Sequence, residues 1–486
     1  MIATVLGSTI QNGRAHVVSV EATTAQGIPR FTIVGLPSRD ITEARERITT
    51  VFKRHSVRLP RKKILVNLHP TDLKKTGTTL EFSIMVSLLS LVGVQHTLPK
   101  ETIFIGSTTL DGTLHSTASL VAQILQARKK GHTTFCVPTQ AQKYLSHLTG
   151  VTIFLVADMG AFIQHCQDKV PPPKLAHRSF STKKQSVSPT AFSSIRGQYT
   201  AKRAVSIAVA GNHNILLIGP PGNGKTRLAQ AAAELLPPLT SKEMLELHAL
   251  YSATTHPTLP KTRPFRQPHH SCTKTQLIGT GTPSSPGELA LAHTGILFLD
   301  ELSEFAPSTL AALRQPLEEK KLHLSSNTAT NHLPCNSLLI AAMNPCFCGY
   351  AGFPEKSCTC TRSQLERYTK KLSGALKDRI ALMVRVAPID ADEYHLQDTT
   401  AADTQVLTLV TAIAATRKYL SKQKKPLTLP LSTTATKLLY RAHTKLKLSI
   451  RSVQQCQSVA QTIALLEGKR RISADHIAEA LQYRIQ

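Results

Sequence analysis

At 486 residues the chain is too long for one ordinary core, so two or three domains are expected. Its 41% hydrophobic content fits a globular protein, and the longest apolar run, Phe82 to Val94, is broken by serines and too short to span a bilayer. The balance of 58 Lys and Arg against 30 Asp and Glu, a formal +28, exceeds what solubility needs; it suits a polyanionic partner, nucleic acid or an acidic membrane surface, unless the whole proteome is basic.

Met1-Ile-Ala-Thr-Val-Leu lacks the basic start and long apolar core of a signal peptide, so a cytoplasmic location is expected. With no Trp and 5% aromatic residues, contacts to a nucleic-acid backbone are favoured over base stacking. Nine cysteines, four of them clustered, fit a reducing compartment and a metal site.

Residues 1–167 alternate strand-like and helical patterns. Val17-Val-Ser-Val20 and Phe31-Thr-Ile-Val-Gly-Leu-Pro37 read as strand-like. After Ser38 as N-cap, Ile41, Ala44, Ile48 and Phe52 share one helical face. Strand-like Lys63–Leu68, a helix from about Thr79 to Leu91, strand-like Thr102–Gly106, helical Leu120–Lys130 and strand-like Thr134–Val137 complete an independent α/β domain. Residues 168–194, with Pro171-Pro-Pro173, many Ser and Thr and five Lys or Arg facing only Asp168, read as a basic linker: a solvated tether, or a segment lying on phosphates.

Residues 195–389 carry the chemistry. Ile215-Leu-Leu-Ile218 is a buried strand, Gly219-Pro220-Pro221-Gly222-Asn223-Gly224-Lys225-Thr226 has the spacing G-x-x-x-x-G-K-[ST], and a helix follows from Lys225. Strand, glycine-rich turn and helix in that order make a phosphate-binding P-loop. The glycines let backbone N–H groups turn inward around a polyphosphate at a helix N-terminus. Lys225 would reach the β and γ phosphates of ATP, and the Thr226 hydroxyl would hold Mg²⁺. The bland alternative, a strand–helix turn that happens to carry Lys-Thr, loses ground to the second element. Gly295-Ile-Leu-Phe-Leu-Asp-Glu301 is an apolar strand ending in two carboxylates: Asp300 to bind Mg²⁺, Glu301 to polarise the attacking water.

Between these elements Arg263-Pro-Phe-Arg-Gln-Pro-His-His270 gathers two arginines and two histidines with no acid among them, which suits a nucleotide- or DNA-facing loop. After them, Ser337-Leu-Leu-Ile-Ala-Ala-Met-Asn344 is a strand whose end would place Asn344 to orient the lytic water, or to form a turn. Cys346-Phe-Cys348 and Cys358-Thr-Cys360, nine residues apart, offer four thiolates on two short loops within 344–361, a set that can close a tetrahedral structural Zn²⁺ site. Arg379 suits either an arginine finger inserted into a neighbouring subunit's site or a surface salt bridge. Residues 390–486 read as an all-helical lid with helices over Val406–Tyr419, Thr433–His443, Ser449–Leu466 and Ser473–Tyr483; Arg451, at the start of the third, would reach back to the γ-phosphate.

Together these motifs resemble the competence protein ComM family (YifB-type), the magnesium-chelatase-like AAA+ ATPases. The resemblance covers nearly the whole chain and is most specific in Phe31–Pro37, Gly219–Thr226, Arg263–His270, Gly287–Glu301, Met343–Gly349 and His476–Leu481. It implies a homo-oligomeric ring, hexameric by analogy, that moves DNA by ATP hydrolysis as a branch-migration helicase in natural transformation, with no membrane partner. It assigns Lys225 and Thr226 to Walker A, Asp300 and Glu301 to Walker B, Asn344 to sensor 1, Arg379 to the finger, Arg451 to sensor 2 and the four cysteines to a zinc motif. It also implies a Lon-protease-like α/β fold for residues 1–167, but the serine and lysine a peptidase needs near Thr76–Thr79 and Thr117–Val121 are missing. Two departures stand out: Ala381 where the family usually has Asp, and Ser325-Ser326 where its pore-facing hairpin is basic. A chelatase-like motor acting on a protein partner and a basic DNA-binding scaffold are the competing expectations.

Overall fold

The structure is a computed structural model. It describes residues 2–484 except 12–13, 76, 118, 147, 177–189, 252–253, 255–259, 282–283, 326–329, 354–355, 372–373, 389–398 and 424–428. The N-terminal domain opens with two long antiparallel strands, Ile2–Gln11 and Arg14–Ala25, in register from Ile2 opposite Thr23 to Gln11 opposite Arg14. Val18, Val20 and Ala22 are buried at alternate positions, the period-two pattern of a strand with one face on a core. Around this ribbon forms a seven-stranded sheet in the order 30–34, 63–69, 14–25, 2–11, 103–104, 134–138, 152–156. Only Arg14–Ala25 runs against its neighbours.

The helix after Ser38, Arg39–Arg54, buries Ile41, Ala44, Ile48, Val51 and Phe52 against that sheet, although the Ser38 side chain makes no cap bond. The next helix, Glu81–Leu91, starts two residues later than its pattern predicts and is buried nearly all round. Its Glu81 is enclosed but paired with Arg47 and with the Thr108 N–H, which satisfies a carboxylate that would otherwise be costly to bury.

A second sheet of five strands, all parallel, has the order 265–266, 296–299, 338–343, 215–218, 382–385. Its strands are near-continuous apolar runs because both faces are covered. Ile215, Leu217, Phe298 and Ile340 face helices Tyr199–Gly211 and Lys225–Glu234, while Leu216, Leu297, Leu339 and Ala341 face Leu247, Leu289 and Leu313 on the other side. The C-terminal part is helical: Thr399–Lys422, Thr433–Leu446, Ile450–Leu466 and Ala474–Gln482. The Ser432, Ser449 and Ser473 side chains accept the N–H of Ala435, Ser452 and His476 and so cap the last three helices. Ile413, Val459, Ile463 and Ile477 share one apolar cluster with Ala204 and Val205, so the helical domain and the sheet domain have a continuous core.

Part of the stretch read as a linker is built into the neighbouring domains. The Leu155 N–H donates to the Pro173 carbonyl and the Leu175 N–H to that of Ile153, laying this stretch beside the last strand of the first sheet. Phe192 is buried against the core beside the P-loop helix, and residues 177–189, with Arg178, Lys183 and Lys184, lie outside the described residues. Leu245, on the helix Ser241–Tyr251 inserted after the P-loop helix, joins the cluster of Ile124, Leu145 and Leu175 and so docks the two sheet domains. No helix among the described residues is long and apolar enough to cross a membrane.

Candidate nucleotide site and four-cysteine knot

A parallel sheet delivers its loops to the carboxyl ends of its strands, and the site lies there. Pro221, Gly222, Asn223, Gly224, Lys225, Thr226, Asp300, Glu301 and Asn344 line one cavity of ≈ 590 Å³. Gly224 holds a left-handed backbone (φ 76°), which turns the loop into the helix that begins at Lys225. Asn223 Nδ2 donates to the Val386 carbonyl at 3.1 Å and ties the loop to the outer strand.

The Lys225 ammonium donates to Gly219 O at 2.6 Å, Pro220 O at 2.8 Å and Asn344 Oδ1 at 3.1 Å, using all three of its donors within the chain. Burial pulls its pKa down, and the charges of Asp300 and Glu301 oppose that shift. Thr226 Oγ1 donates to Asp300 Oδ2 at 2.8 Å, so the two residues expected at Mg²⁺ already meet. A hydroxyl and a carboxylate side by side are the hard oxygen donors Mg²⁺ takes, and the residues present fit ATP with Mg²⁺.

Glu301 sits at φ 49°, a region that costs a non-glycine residue roughly 1–2 kcal/mol and is concentrated at working sites. Its carboxylate lies 3.3 Å from His270 Nδ1. That contact assigns a place to one residue of the 263–270 stretch and corrects the reading of the others. The Arg263 side chain is only 7% exposed and gives bidentate bonds to Glu243 plus bonds to the Pro237 and Thr294 carbonyls, and Arg266 forms a bidentate pair with Glu288. The two arginines are structural ties, not ligand-facing groups. Arg263→Ala is accordingly expected to cost about 3 kcal/mol of stability, seen as a lowered denaturation midpoint, with DNA affinity of the folded protein unchanged.

Arg379 and Arg451 are brought together, but away from the P-loop. Both donate to Glu318 Oε2, at 2.7 and 3.0 Å, in a cavity of ≈ 570 Å³ lined by Asn212, His213 and Asn214, which precede the P-loop strand. This is the amino end of the P-loop strand, opposite Gly219–Thr226 at its carboxyl end. The expectation that Arg451 reaches back to its own γ-phosphate position is therefore corrected. The physical reason is the docking of its helix: Gln455, one turn on, donates to the Asp378 carbonyl, and Arg484 bridges Ile380 O and Ser452 Oγ. Arg379 is further held by the Arg314 and Ala375 carbonyls.

The four cysteine sulfurs lie within 4.8 Å of one another, with Sγ–Sγ separations of 3.2 Å for Cys346 and Cys348 and 3.4 Å for Cys348 and Cys358. The Ala351 N–H points at Cys346 Sγ and the Cys348 N–H at Cys360 Sγ, each at 3.3 Å, as backbone amides do toward thiolates. The Cys346 sulfur, then the Tyr350 backbone, draws the Cys348 thiol down to about 5. A four-sulfur set of this size fits Zn²⁺. Arg227, Ser303, Glu304, Met343, Phe347 and Tyr368 also line the nucleotide cavity and were not read as site residues from the sequence, and Cys346, read as a zinc ligand, lines it too. All of these but Tyr368 lie within three residues of a residue the sequence singled out, which was the available signal; Tyr368 had none.

In the first domain, the Thr79 hydroxyl donates to the Ser8 carbonyl and Val121 is buried, so neither position offers a Ser/Lys pair.

A parallel sheet in this order, a P-loop, an acidic strand end and an adjacent Asn define a P-loop protein of the AAA+ class. Three family models match: magnesium chelatase, subunit ChlI, over residues 191–394; subunit ChlI of Mg-chelatase over 20–141; and magnesium chelatase, subunit ChlI C-terminal, over 397–484. The protein YifB of Salmonella typhimurium is 35% identical over 488 residues, covering 96% of this chain and 94% of that one. Competence protein ComM of Haemophilus influenzae is 34% identical over 491 residues, covering 97% and 95%. An archaeal Lon protease of Archaeoglobus fulgidus is 40% identical over 83 residues, 17% of this chain. The chain belongs to the ComM/YifB-type family of magnesium-chelatase-like AAA+ proteins.

Proposed function

We propose that this protein is an Mg²⁺-dependent ATPase that moves DNA: a homo-oligomeric ring, hexameric by analogy with the ComM type, acting in the cytoplasm as a branch-migration helicase on incoming DNA. The observation that carries the ATPase step is the meeting of Lys225, Thr226, Asp300, Glu301 and Asn344 in one cavity. Entering phosphates would take over the Lys225 donors now spent on carbonyls, Thr226 and Asp300 would hold Mg²⁺, and Glu301 would accept a proton from the attacking water while Asn344 orients it. Mg²⁺ supplies charge neutralisation between the phosphates when bound. Zn²⁺ on Cys346, Cys348, Cys358 and Cys360 would be structural. Arg379 and Arg451, at the amino end of the P-loop strand, would serve a neighbour's nucleotide, so turnover would require assembly.

DNA as the substrate rests on the +28 charge and on the near full-length likeness to a competence protein. The test is ATP turnover with single-stranded, forked and four-way-junction DNA, beside Lys225→Ala. Stimulation by branched DNA, abolished by that substitution, is the expected result. DNA affinity is expected to fall by about 10³ between about 50 and 200 mM salt, the loss for a protein meeting six or more phosphates. The match to a chelatase subunit favours one other reading, a motor acting on a protein partner; turnover indifferent to DNA would select it. Tight DNA binding without turnover would select a scaffold.

A further inference from the structure

The cysteine knot hangs from the strand that carries Asn344, since Cys346 follows by two residues, and it touches the nucleotide site at three further points. A Cβ on Gly349 would come within 2.9 Å of the Pro221 ring, so the knot's first turn rests on the P-loop at a distance that only glycine permits. Phe347 lines the cavity, and its ring meets Tyr368 edge-on with centroids 4.9 Å apart. Tyr368 belongs to the helix Arg362–Lys371, which begins just beyond Cys360. Its side chain is buried, and its hydroxyl lies 2.9 Å from the Asn344 carbonyl and 3.0 Å from Ser303 Oγ, in the turn after Asp300 and Glu301. Burial raises its pKa, which keeps the hydroxyl a donor. Its one proton is shared between the Asn344 carbonyl and Ser303 Oγ, and Ser303 in turn donates to Glu304 Oε1.

We propose that Tyr368 is a positioning residue of the ATPase site: it links the four-cysteine knot to both Asn344 and the acidic turn, so that an ordered knot is required for hydrolysis but not for nucleotide binding. This rests on the ATPase reading above. The P-loop binds polyphosphate through its own backbone and Lys225; Tyr368 reaches Lys225 only by way of Asn344, which takes one of the three Lys225 bonds. Alignment of Asn344 with Glu301 is what the tyrosine spans.

The test compares wild type, Tyr368→Phe and Cys348→Ser, with Zn²⁺ content measured for each. Tyr368→Phe keeps the ring against Phe347 and loses only the hydroxyl. Its kcat is expected to fall about tenfold with KM, the dissociation constant of a non-hydrolysable ATP analogue and Zn²⁺ content within twofold of wild type. Cys348→Ser, and wild type stripped with a chelator, are expected to lose Zn²⁺ and turnover while still binding the analogue. A Tyr368→Phe protein with wild-type kcat, or one that loses binding in step with turnover, overturns the proposal. Hydrogen exchange of residues 338–346 reads the same link without turnover: faster exchange in Tyr368→Phe supports it, and unchanged protection overturns it. If wild-type protein shows no turnover at all, the ATPase reading falls, and the exchange result still judges Tyr368.

Discussion

Arg379→Ala is expected to lower kcat by about 10³, at the low end of what an arginine finger contributes, while the analogue still binds. The expectation follows from position. Arg379 lies in the cavity at the amino end of the P-loop strand, so in this arrangement it does not complete its own site and would serve a neighbour's. Glu318 now occupies its guanidinium together with that of Arg451, and a γ-phosphate from an adjoining subunit would compete for the same two cations. Because Arg379 also braces Arg314 and Ala375 through carbonyl bonds, loss of activity alone would not separate a finger from a structural tie. Mixing separates them. Arg379→Ala subunits combined with Lys225→Ala subunits should recover part of the activity, since some sites then pair an intact P-loop with an intact neighbouring arginine. No recovery, with a lowered denaturation midpoint for Arg379→Ala, would make the residue a structural tie.

Glu301→Gln is expected to reduce kcat by about 10³, within the range for removal of a general base, and to leave ATP bound and unhydrolysed. Glutamine keeps the size of the side chain and can keep the φ 49° backbone and the contact to His270, so only the capacity to take a proton is lost. Single-turnover measurement with ATP in the presence of Mg²⁺ checks it. Retention of more than about a tenth of the wild-type rate would place the base elsewhere, because a carboxylate that only braces a turn has no reason to affect the chemical step.

The parts legible in the sequence were those whose partners lie nearby in the chain or follow a periodic pattern. The glycine spacing of 219–226, the apolar run ending in Asp300-Glu301, the strand ending at Asn344 and the paired Cys-x-Cys loops each carry their geometry locally. The long N-terminal strands Ile2–Gln11 and Arg14–Ala25 were only partly read, though Asn12-Gly13 between them is the dipeptide that favours a tight hairpin. The two arginines of the 263–270 stretch were misjudged because their acids are not neighbours: Glu243 reaches Arg263 from 20 residues away and Glu288 reaches Arg266 from 22.

The sequence by itself determined that this is a P-loop protein with an acidic strand end, a metal-competent set of thiols and a helical C-terminal domain, because backbone turns, strand burial and ligand spacing are properties of short segments. Only the tertiary structure decided which side chains face one another: His270 with Glu301, Arg379 and Arg451 on Glu318, Tyr368 under Asn344. Those pairings arise where separate helices and strands pack, and a side chain's partner across such a contact is set by the burial of many apolar residues at once rather than by the residues beside it in the chain.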